Sequence, residues 1–365
     1  MRKILAVRLG WRDVLLGLIF LAPPPVKKLL LRLCCRAEIA PTARIGWFSA
    51  VVGQRVVLGE FSRVAPFTLI RCGGHVALDG YAEVSSFVLV YGAGSFFLGR
   101  HSYVGPQSLI NADEDVRIGN LSALGPRCMV FTHGSFLPCT EGYPVRLAGV
   151  TLGDRTWVAA GVFVHPGVRI GDDVFVNSCA VVSQDIPGGY VAEGAPARAL
   201  HPLARLKRQM TPARVDEVVR RVLERFATTE LRRELGLEVE ANGPVMHFRL
   251  RWRRYAIVHA RATVAPNAPA LGDLGRRARV IVVSNGSDPR IPPIRSGLIV
   301  VDLRAMRTPV PRDPIHARLV EFMRRYYGIH LEYDAWAEAS SADRTGGLDD
   351  VDELEARRNM SLLSE

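Results

Sequence analysis

His133 is the one obviously reactive side chain in the repetitive middle of this chain. It ends the run Val130-Phe131-Thr132-His133, directly before a segment that interrupts the repeat. An imidazole changes its charge near neutral pH, so it is the side chain best suited to take a proton from a substrate there. The alternative interpretation is a surface histidine at the start of a loop, without a chemical role.

A carboxylate at a defined spacing from His133 supports the chemical interpretation. Asp113 precedes His133 by twenty residues, and twenty residues is also the step with which this part of the chain repeats. If successive repeats stack as coils about 4.8 Å apart, Asp113 lies below His133 on the same face. There it would accept the Nδ1 proton and stabilise the imidazolium. Asn111 or Glu114 could take this role instead, or either could bind the acceptor. The acidic residues 113–115 could also form a solvated turn without a chemical role.

The elements that must position these residues follow from a sixfold aliphatic period. A branched aliphatic residue recurs at every sixth position in six triplets: Leu58, Val64, Ile70; Leu78, Val84, Val90; Leu98, Val104, Ile110; Ile118, Leu124, Val130; Leu152, Val158, Val164; and Ile170, Val176, Val182. The first members of the first four triplets are twenty residues apart. The next interval, of 34 residues, contains an insertion of about fourteen, at residues 134–149.

Each triplet is predicted to form one triangular coil of three short strands. Stacked coils pair their backbone amides with the coil above or below and bury a continuous aliphatic column. Because one coil cannot bury its own apolar side, the number of repeats is itself a requirement for stability. Glycine follows many of the aliphatics, as in Leu58-Gly59 and Val104-Gly105. We expect a crowded corner with positive φ at these glycines.

Two segments carry a resemblance to a known family. Residues 150–173 read VTLGDRTWVAAGVFVHPGVRIGDD, and residues 181–198 read VVSQDIPGGYVAEGAPAR. Together with the [LIV]-G-x4 pattern they resemble the hexapeptide-repeat acyltransferases over about residues 39–200, and within them the maltose, galactoside, xenobiotic and polysaccharide O-acetyltransferases. The resemblance implies a left-handed parallel β-helix. It also implies acyl transfer from a coenzyme A thioester to a hydroxyl or amine, with His133 as the general base.

The resemblance further implies a site for the acyl donor, acetyl-CoA. The residues that it places along the pantetheine arm are Trp157, Ala159, Ala160, Gly161, Ser178 and Ala180. Gln184 stands where the family often has a lysine near the donor phosphates, so Arg198 is expected to supply the positive charge. In this family the active site lies between the subunits of a trimer. We therefore expect a homotrimer, with residues 134–149 covering the acceptor.

The segments that flank the repeat differ from it in composition. Residues 1–36 are basic and contain an apolar run that is too short to span a membrane. They predict either an interfacial helical anchor on an anionic membrane or a helical segment packed on the protein or a neighbouring subunit. After the β-helix domain, residues 37–200, the sequence predicts a helical linker at 201–240, a small α/β or α+β domain at 241–336 and a flexible acidic tail at 337–365.

Four polar residues of the predicted C-terminal domain have two interpretations. They could bind an anion, or they could form exposed salt bridges: Asp302, Arg304, Arg307 and His316. No family resemblance in this part of the chain decides between the two.

Composition and spacing argue against several other classes of protein. With 365 residues, 48% of them hydrophobic, and a charge of +11, the chain is globular and suited to an anionic partner. It has no aromatic-interleaved basic motif of a nucleic-acid module. The six cysteines form no C-x2-C pair, and the histidines of the repeat are widely spaced, so no metal site is expected. No Gly-rich nucleotide-binding domain precedes the repeat, which argues against a uridylyltransferase fusion.

The sequence therefore predicts a mainly β protein with a left-handed parallel β-helix, a basic N-terminal helical segment and a C-terminal α/β or α+β domain. We expect a cytoplasmic enzyme, peripheral at the inner face of the membrane, that acetylates a sugar hydroxyl of a surface polysaccharide or its precursor. One alternative is an N-acetyltransferase acting on an amino sugar or small amine. An alternative of another class is a non-catalytic structural β-helix.

Overall fold

The chain divides into two compact units, residues 1–208 and residues 209–365. The computed structural model describes residues 11–34, 37–134, 137–260, 275, 277–285 and 298–334. The predicted tail at 337–365 lies outside the described residues. The predicted linker at 201–240 is divided between the two units at residue 208.

The first unit is a stack of triangular coils whose strands form three parallel sheets, here called faces A, B and C. Face A contains β1 (Glu38–Ile39), β4 (Arg55–Leu58), β7 (His75–Leu78), β10 (Phe96–Leu98), β13 (Val116–Ile118), β18 (Val150–Leu152) and β21 (Arg169–Ile170). Face B contains β2 (Arg44–Ile45), β5 (Arg63–Val64), β8 (Glu83–Val84), β11 (Tyr103–Val104), β14 (Ala123–Leu124), β19 (Trp157–Val158) and β22 (Phe175–Val176), and ends in the antiparallel pair β24 (Tyr190–Gly194) and β25 (Ala197–Pro202). Face C contains β3 (Ala50–Val52), β6 (Leu69–Cys72), β9 (Leu89–Gly92), β12 (Leu109–Asn111), β15 (Met129–Phe131), β20 (Phe163–Val164) and β23 (Val181–Val182).

The sixfold aliphatic residues fill the centre of this stack, as predicted. Each is 3% exposed or less, and each lies beside its counterpart in the next coil, as Ile110 does beside Val130. The twenty-residue step is therefore the register of the strands. Because the strands are so short, stacking of many coils is what pairs their backbone groups and buries the aliphatic column.

The glycines after the aliphatics are explained by crowding and not by positive φ. A β-carbon on Gly105 would lie 2.5 Å from the backbone of Gly125 in the next coil, and one on Gly59 would lie 2.6 Å from that of Gly80. Positive φ occurs instead further along the turns, at larger residues such as Phe67 (φ 60°) and Gln107 (φ 62°). The expected crowding is confirmed and the expected φ was wrong, since close approach of coils excludes a side chain whatever the dihedral.

Two helices precede the first coil: α1 (Trp11–Leu21) and α2 (Pro24–Cys34). Leu15 and Ile19 of α1 and Leu31 of α2 join the hydrophobic core of the β-helix. Lys27 is fully buried between the helices and the first coil, where its Nζ donates to the carbonyl oxygens of Gly46 and Ser49 at 2.8 Å. The helices are thus packed on the body of the protein. Within the described residues, no helix is both long and apolar enough to cross a membrane.

The second unit is a seven-stranded mixed sheet with helices against it. Its strands, in the order of the sheet, are β26 (Val239–Asn242), β27 (Val245–Leu250), β28 (Arg253–Ala260), β29 (Arg279–Ser284), β30 (Ile299–Asp302), β31 (Arg307–Pro309) and β32 (Glu332–Asp334). Its helices are α3 (Pro212–Phe226), which continues as a π-helix over Ala227–Glu234, and α4 (Pro314–Tyr327). Phe226 and Phe322, one from each helix, pack in a single core with Ile281 and Val301 of the sheet.

The four polar residues of this unit do not form one anion site. His316 is 1% exposed, and its Nε2 lies 2.8 Å from the hydroxyl of Thr308. Asp302 accepts from the backbone amide of Arg304 at 2.9 Å and so closes a turn. Of the two interpretations, neither an anion site nor an exposed salt bridge can include His316, because helix α4 directs this histidine into the core.

Candidate active site

The end of face C and the insertion together position His133. Strands β12 and β15 pair in parallel with Asn111 beside Phe131, which continues the twenty-residue register to the pair Asp113 and His133. After Phe131 the chain leaves face C, and β16 (His133–Gly134) pairs antiparallel with β17 (Arg146–Leu147). The two ends of the insertion thus form a short hairpin that holds the backbone of His133.

Asp113 and Asn111 both contact the same nitrogen of the His133 ring. The Nδ1 atom lies 3.1 Å from Oδ2 of Asp113 and 3.2 Å from Oδ1 of Asn111. Asn111 in turn donates from Nδ2 to Oδ2 of Asp113 at 3.0 Å. The three side chains form a closed triangle at the corner where face C ends.

This triangle selects one tautomer of the imidazole. Both partners of Nδ1 are acceptors, so the hydrogen-bond network assigns the proton to Nδ1 and leaves the lone pair on Nε2. The side chain of His133 is 40% exposed and that of Asp113 is 37% exposed. The arrangement is therefore a half-exposed ring that is unprotonated at Nε2 and has an anion behind it, which suits proton transfer to and from a bound substrate.

Asn111 supports His133 from a position that an acceptor cannot reach. It is 0% exposed, and its Oδ1 also accepts from the hydroxyl of Thr132 at 3.1 Å. We expected Asn111 to bind the acceptor, and its burial argues against that role. Glu114, the other residue expected to bind the acceptor, is exposed on the same turn, and its backbone amide donates to Thr132.

Arg146 is a residue of this region that the sequence analysis missed. Arg146 lies in β17 and pairs with Gly134, the residue that follows His133 in the chain. Its guanidinium passes over Gly167, where a β-carbon would lie 3.1 Å from Nη2. The hairpin that pairs Arg146 with Gly134 has no sixfold pattern, so the sequence carried no signal for this position.

The residues expected along the donor lie on face B and at the corner between faces B and C. Trp157 points outward from β19, is 56% exposed and has its ring 4.7 Å from that of Phe175. Gly161 has a φ of 70° at the corner, and Ala160 beside it accepts from the amide of Cys179 at 2.9 Å. Ser178 is exposed one coil further on.

Two of the residues predicted to contact the acyl donor could do so only through their backbone atoms. Ala159 is 6% exposed and Ala180 is 1% exposed, so neither side chain is accessible to an extended ligand. Arg198 is exposed, and its Nη1 donates to Oε1 of Gln184 at 2.9 Å. The two residues discussed for the donor phosphates are thus brought together.

One chain does not bring the predicted donor residues to His133. The histidine follows face C, whereas Trp157 lies on face B and Gly161 precedes face C. His133 and the predicted donor residues therefore lie on different sides of the triangular coil. A site that uses both groups would therefore need a second copy of the chain. Among the described residues, no group of three His, Cys, Asp or Glu side chains could hold a metal ion.

Comparison with known proteins identifies the repeat. Residues 149–184 match the family model described as bacterial transferase hexapeptide (six repeats). With the three parallel sheets, this match confirms the predicted resemblance to the hexapeptide-repeat acyltransferases and the predicted left-handed parallel β-helix.

Similar proteins share only part of the chain. Galactoside O-acetyltransferase of Escherichia coli (strain K12) is 37% identical over 51 residues, which cover 14% of this chain and 25% of that protein. A candidate colanic acid biosynthesis acetyltransferase, WcaF, of the same organism is 33% identical over 64 residues, or 18% of this chain and 35% of that protein. The solved maltose O-acetyltransferase from Clostridium difficile 630 is 18% identical with a TM-score of 0.29, over 53% of this chain and 84% of that one. The chain thus spans about a third or less of these two sequence relatives.

Proposed function

We propose that this hexapeptide-repeat protein is an acyltransferase that moves an acetyl group from acetyl-CoA to a sugar hydroxyl. The observation that carries the proposal is the contact of His133 Nδ1 with Asp113, which leaves Nε2 free to act as a base. A hydroxyl is a poor nucleophile until a neighbour removes its proton, and an oriented neutral imidazole does this near neutral pH. A purely structural β-helix would have no use for this triangle of side chains.

The proposed reaction uses Nε2 of His133 twice. The acceptor hydroxyl attacks the carbonyl carbon of the thioester while its proton passes to Nε2. The C–S bond of the resulting tetrahedral species then breaks, and the imidazolium returns the proton to the leaving thiolate, which gives the acetyl ester and free coenzyme A. Asp113 stabilises the imidazolium between the two steps, and Asn111 keeps the ring in place.

The proposed acceptor is a surface polysaccharide or its precursor, handled in the cytoplasm. Similarity to a relative named for colanic acid biosynthesis supports this class, as does similarity to a galactoside O-acetyltransferase. Glu114, exposed beside the triangle, would accept hydrogen bonds from sugar hydroxyls. We also propose that residues 134–149 cover the bound acceptor.

We propose that the active form is a homotrimer. The support is the position of His133 after face C, away from the donor residues Trp157 on face B and Gly161 at the corner between faces B and C. If the end of face C in one copy met face B of the next, the base and the donor site would be assembled at each interface. Ser178, and Arg198 with Gln184, would then contact the later part of the donor.

A second candidate function is N-acetylation of an amino sugar. The same base and donor site would serve an amine, because an amine also loses a proton when it attacks a thioester. The acceptor decides between the two functions. A hydroxyl acceptor yields an ester that mild alkali cleaves, whereas an amine yields a stable amide.

The proposal is tested by release of coenzyme A thiol with a panel of sugar, oligosaccharide and amino-sugar acceptors. We expect acceptor-dependent thiol release and an acceptor heavier by one acetyl group. His133→Ala should lower the rate by several orders of magnitude while the oligomer persists. Equal rates for His133→Ala and the unaltered protein would overturn the proposal.

A further inference from the structure

Helix α2 and the first two coils enclose a cleft with a strongly basic lining. The cleft has a volume of about 700 Å³. Its apolar part includes Leu29 and Val64, and its charged part consists of Lys28, Arg32, Arg44 and Arg63. Among the residues that the structure describes, no carboxylate lines it. The cleft lies in the N-terminal part of the unit and contains none of the residues assigned to acyl transfer.

Three of these cations, Lys28, Arg32 and Arg44, make no ion pair within the described part of the chain. Lys28 Nζ donates to the carbonyl of Pro41 at 3.0 Å, and Arg32 Nη2 donates to that of Ile39 at 3.0 Å, but neither contact neutralises a charge. Burial, followed by the charges of Arg32 and Arg44, lowers the pKa of Lys28. A phosphate in the cleft would relieve this repulsion and accept several charge-assisted hydrogen bonds.

The outer side of the same helices is apolar. Val14, Leu18 and Leu21 of α1 are exposed at helical spacing, and so are Leu29 and Leu33 of α2, with Leu33 at 72%. Leu29 belongs to both surfaces, so the basic cleft continues directly into the apolar side. An exposed apolar helix face beside a basic one is the pattern of an interfacial membrane helix.

Two further observations favour a lipid surface as the occupant. Trp47, which is 52% exposed, follows the first strand of face B, and the ring of its neighbour Phe48 lies 5.9 Å from that of Phe20 in α1. Aromatic rings beside an apolar face suit the headgroup level of a bilayer. Residues 1–36 also contain eight Lys or Arg and one Asp, a charge complementary to anionic lipids.

We propose that α1 and α2 dock the protein on an anionic membrane, with the phosphate of one phospholipid headgroup held by Lys28, Arg32 and Arg44 in the cleft. The leucines of the outer side enter the boundary between headgroups and acyl chains. The inference extends the peripheral location that the sequence predicts for this protein, and it does not rest on acyl transfer.

The test is co-sedimentation of the full chain with vesicles of phosphatidylcholine, with and without phosphatidylglycerol, in the absence of acetyl-CoA. We expect binding only to vesicles that contain phosphatidylglycerol. The double variant Lys28→Gln/Arg44→Gln should bind about 30-fold more weakly, because each cation near an anionic surface contributes about a fivefold factor. Leu18→Ser/Leu33→Ser should also lose binding. Because no acyl donor is present, these results are independent of whether transfer is observed.

Two matched variants make the result specific. Arg249→Gln/Arg251→Gln removes the same charge from exposed positions of the second unit and should leave binding within about twofold of the unaltered protein. Lys28→Arg/Arg44→Lys keeps both charges and should retain binding. The inference is overturned if the second-unit variant loses as much binding as the cleft variant, or if the leucine variant binds normally. It is also overturned if inorganic phosphate occupies the cleft while vesicle binding is unaffected by the cleft substitutions.

Discussion

Oδ2 of Asp113 lies 3.1 Å from Nδ1 of His133, although the two residues are twenty positions apart in the chain. The contact exists because one turn of the coil brings the chain back to the same corner, so that Asp113 lies one coil before His133. An anion on the side of the ring opposite to Nε2 is the arrangement that an imidazole needs to accept a proton from a substrate.

Replacement of Asp113 by Asn tests this relationship. The variant keeps the size of the side chain and removes the charge that stabilises the imidazolium, so we expect kcat to fall about 10- to 100-fold. The KM for acetyl-CoA should stay nearly unchanged, because Asp113 is not among the donor residues. Initial rates at several acetyl-CoA concentrations measure both constants. An unchanged kcat would remove Asp113 from the mechanism.

Replacement of Asn111 by Leu tests the buried member of the triangle. The hydroxyl of Thr132 and Nδ1 of His133 would each lose a partner, so we expect a loss of about 1–3 kcal/mol in the free energy of unfolding and a lower kcat. Urea unfolding and initial rates measure the two effects. Tyr91→Leu, at the equivalent position one coil earlier, is the matched control and should leave kcat unchanged. A fully active Asn111→Leu variant would contradict its role in orienting the ring.

Gly92 tests the turn that carries Asp113. It has a φ of 149°, and a β-carbon there would lie 2.4 Å from the backbone nitrogen of Asp113. Gly92→Ala must therefore displace this turn, and we expect about a tenfold loss of kcat as well as lower stability. Gly243→Ala is the control, since it has a positive φ of 60° but open space around it. If both variants retain full activity, the position of Asp113 is not critical.

Lys27 is predicted to be essential for docking α1 and α2 on the first coil. Its Nζ donates to carbonyl oxygens of Gly46 and Ser49, and a methionine of similar length would leave these buried oxygens with fewer partners. We expect Lys27→Met to lower the free energy of unfolding of the first unit by about 1–3 kcal/mol. Hydrogen exchange of the α2 amides against those of the central coils would measure this loss. Equal protection of α2 in both proteins would show that Lys27 is dispensable.

The second unit should lose stability in acid through His316. Burial lowers the pKa of His316 to about 4, an effect that Asp313 opposes and Arg279 reinforces. The unfolded chain binds this proton near pH 6.5 and the folded chain only near pH 4, so stability falls as the pH falls through this range. The loss approaches about 3 kcal/mol. Hydrogen exchange of α4 against pH measures it, and His316→Gln should show a weaker pH dependence. An equal dependence in both proteins would assign the acid sensitivity to other groups.

The sequence by itself determined the coil and its register. A branched aliphatic residue at every sixth position can be buried only if three short strands surround one axis, and the twenty-residue step then places Asp113 beside His133. These features could be predicted since each depends on a local period that many residues share.

Only the tertiary structure decided the features that have no period. From the sequence, Asn111 could bind the acceptor or orient the histidine. Its burial behind the ring favours the second role. Arg146 is placed opposite Gly134 only by the hairpin at the two ends of the insertion. Lys27 belongs to the basic N-terminal segment and is enclosed by carbonyl oxygens, while Leu29 and Leu33 of the same helix remain exposed. The separation of His133 from Trp157 likewise depends on which side of the triangular coil each one occupies. In all these cases the side chain's surroundings come from segments distant in the chain, and the periodic pattern does not encode which of them will pack together.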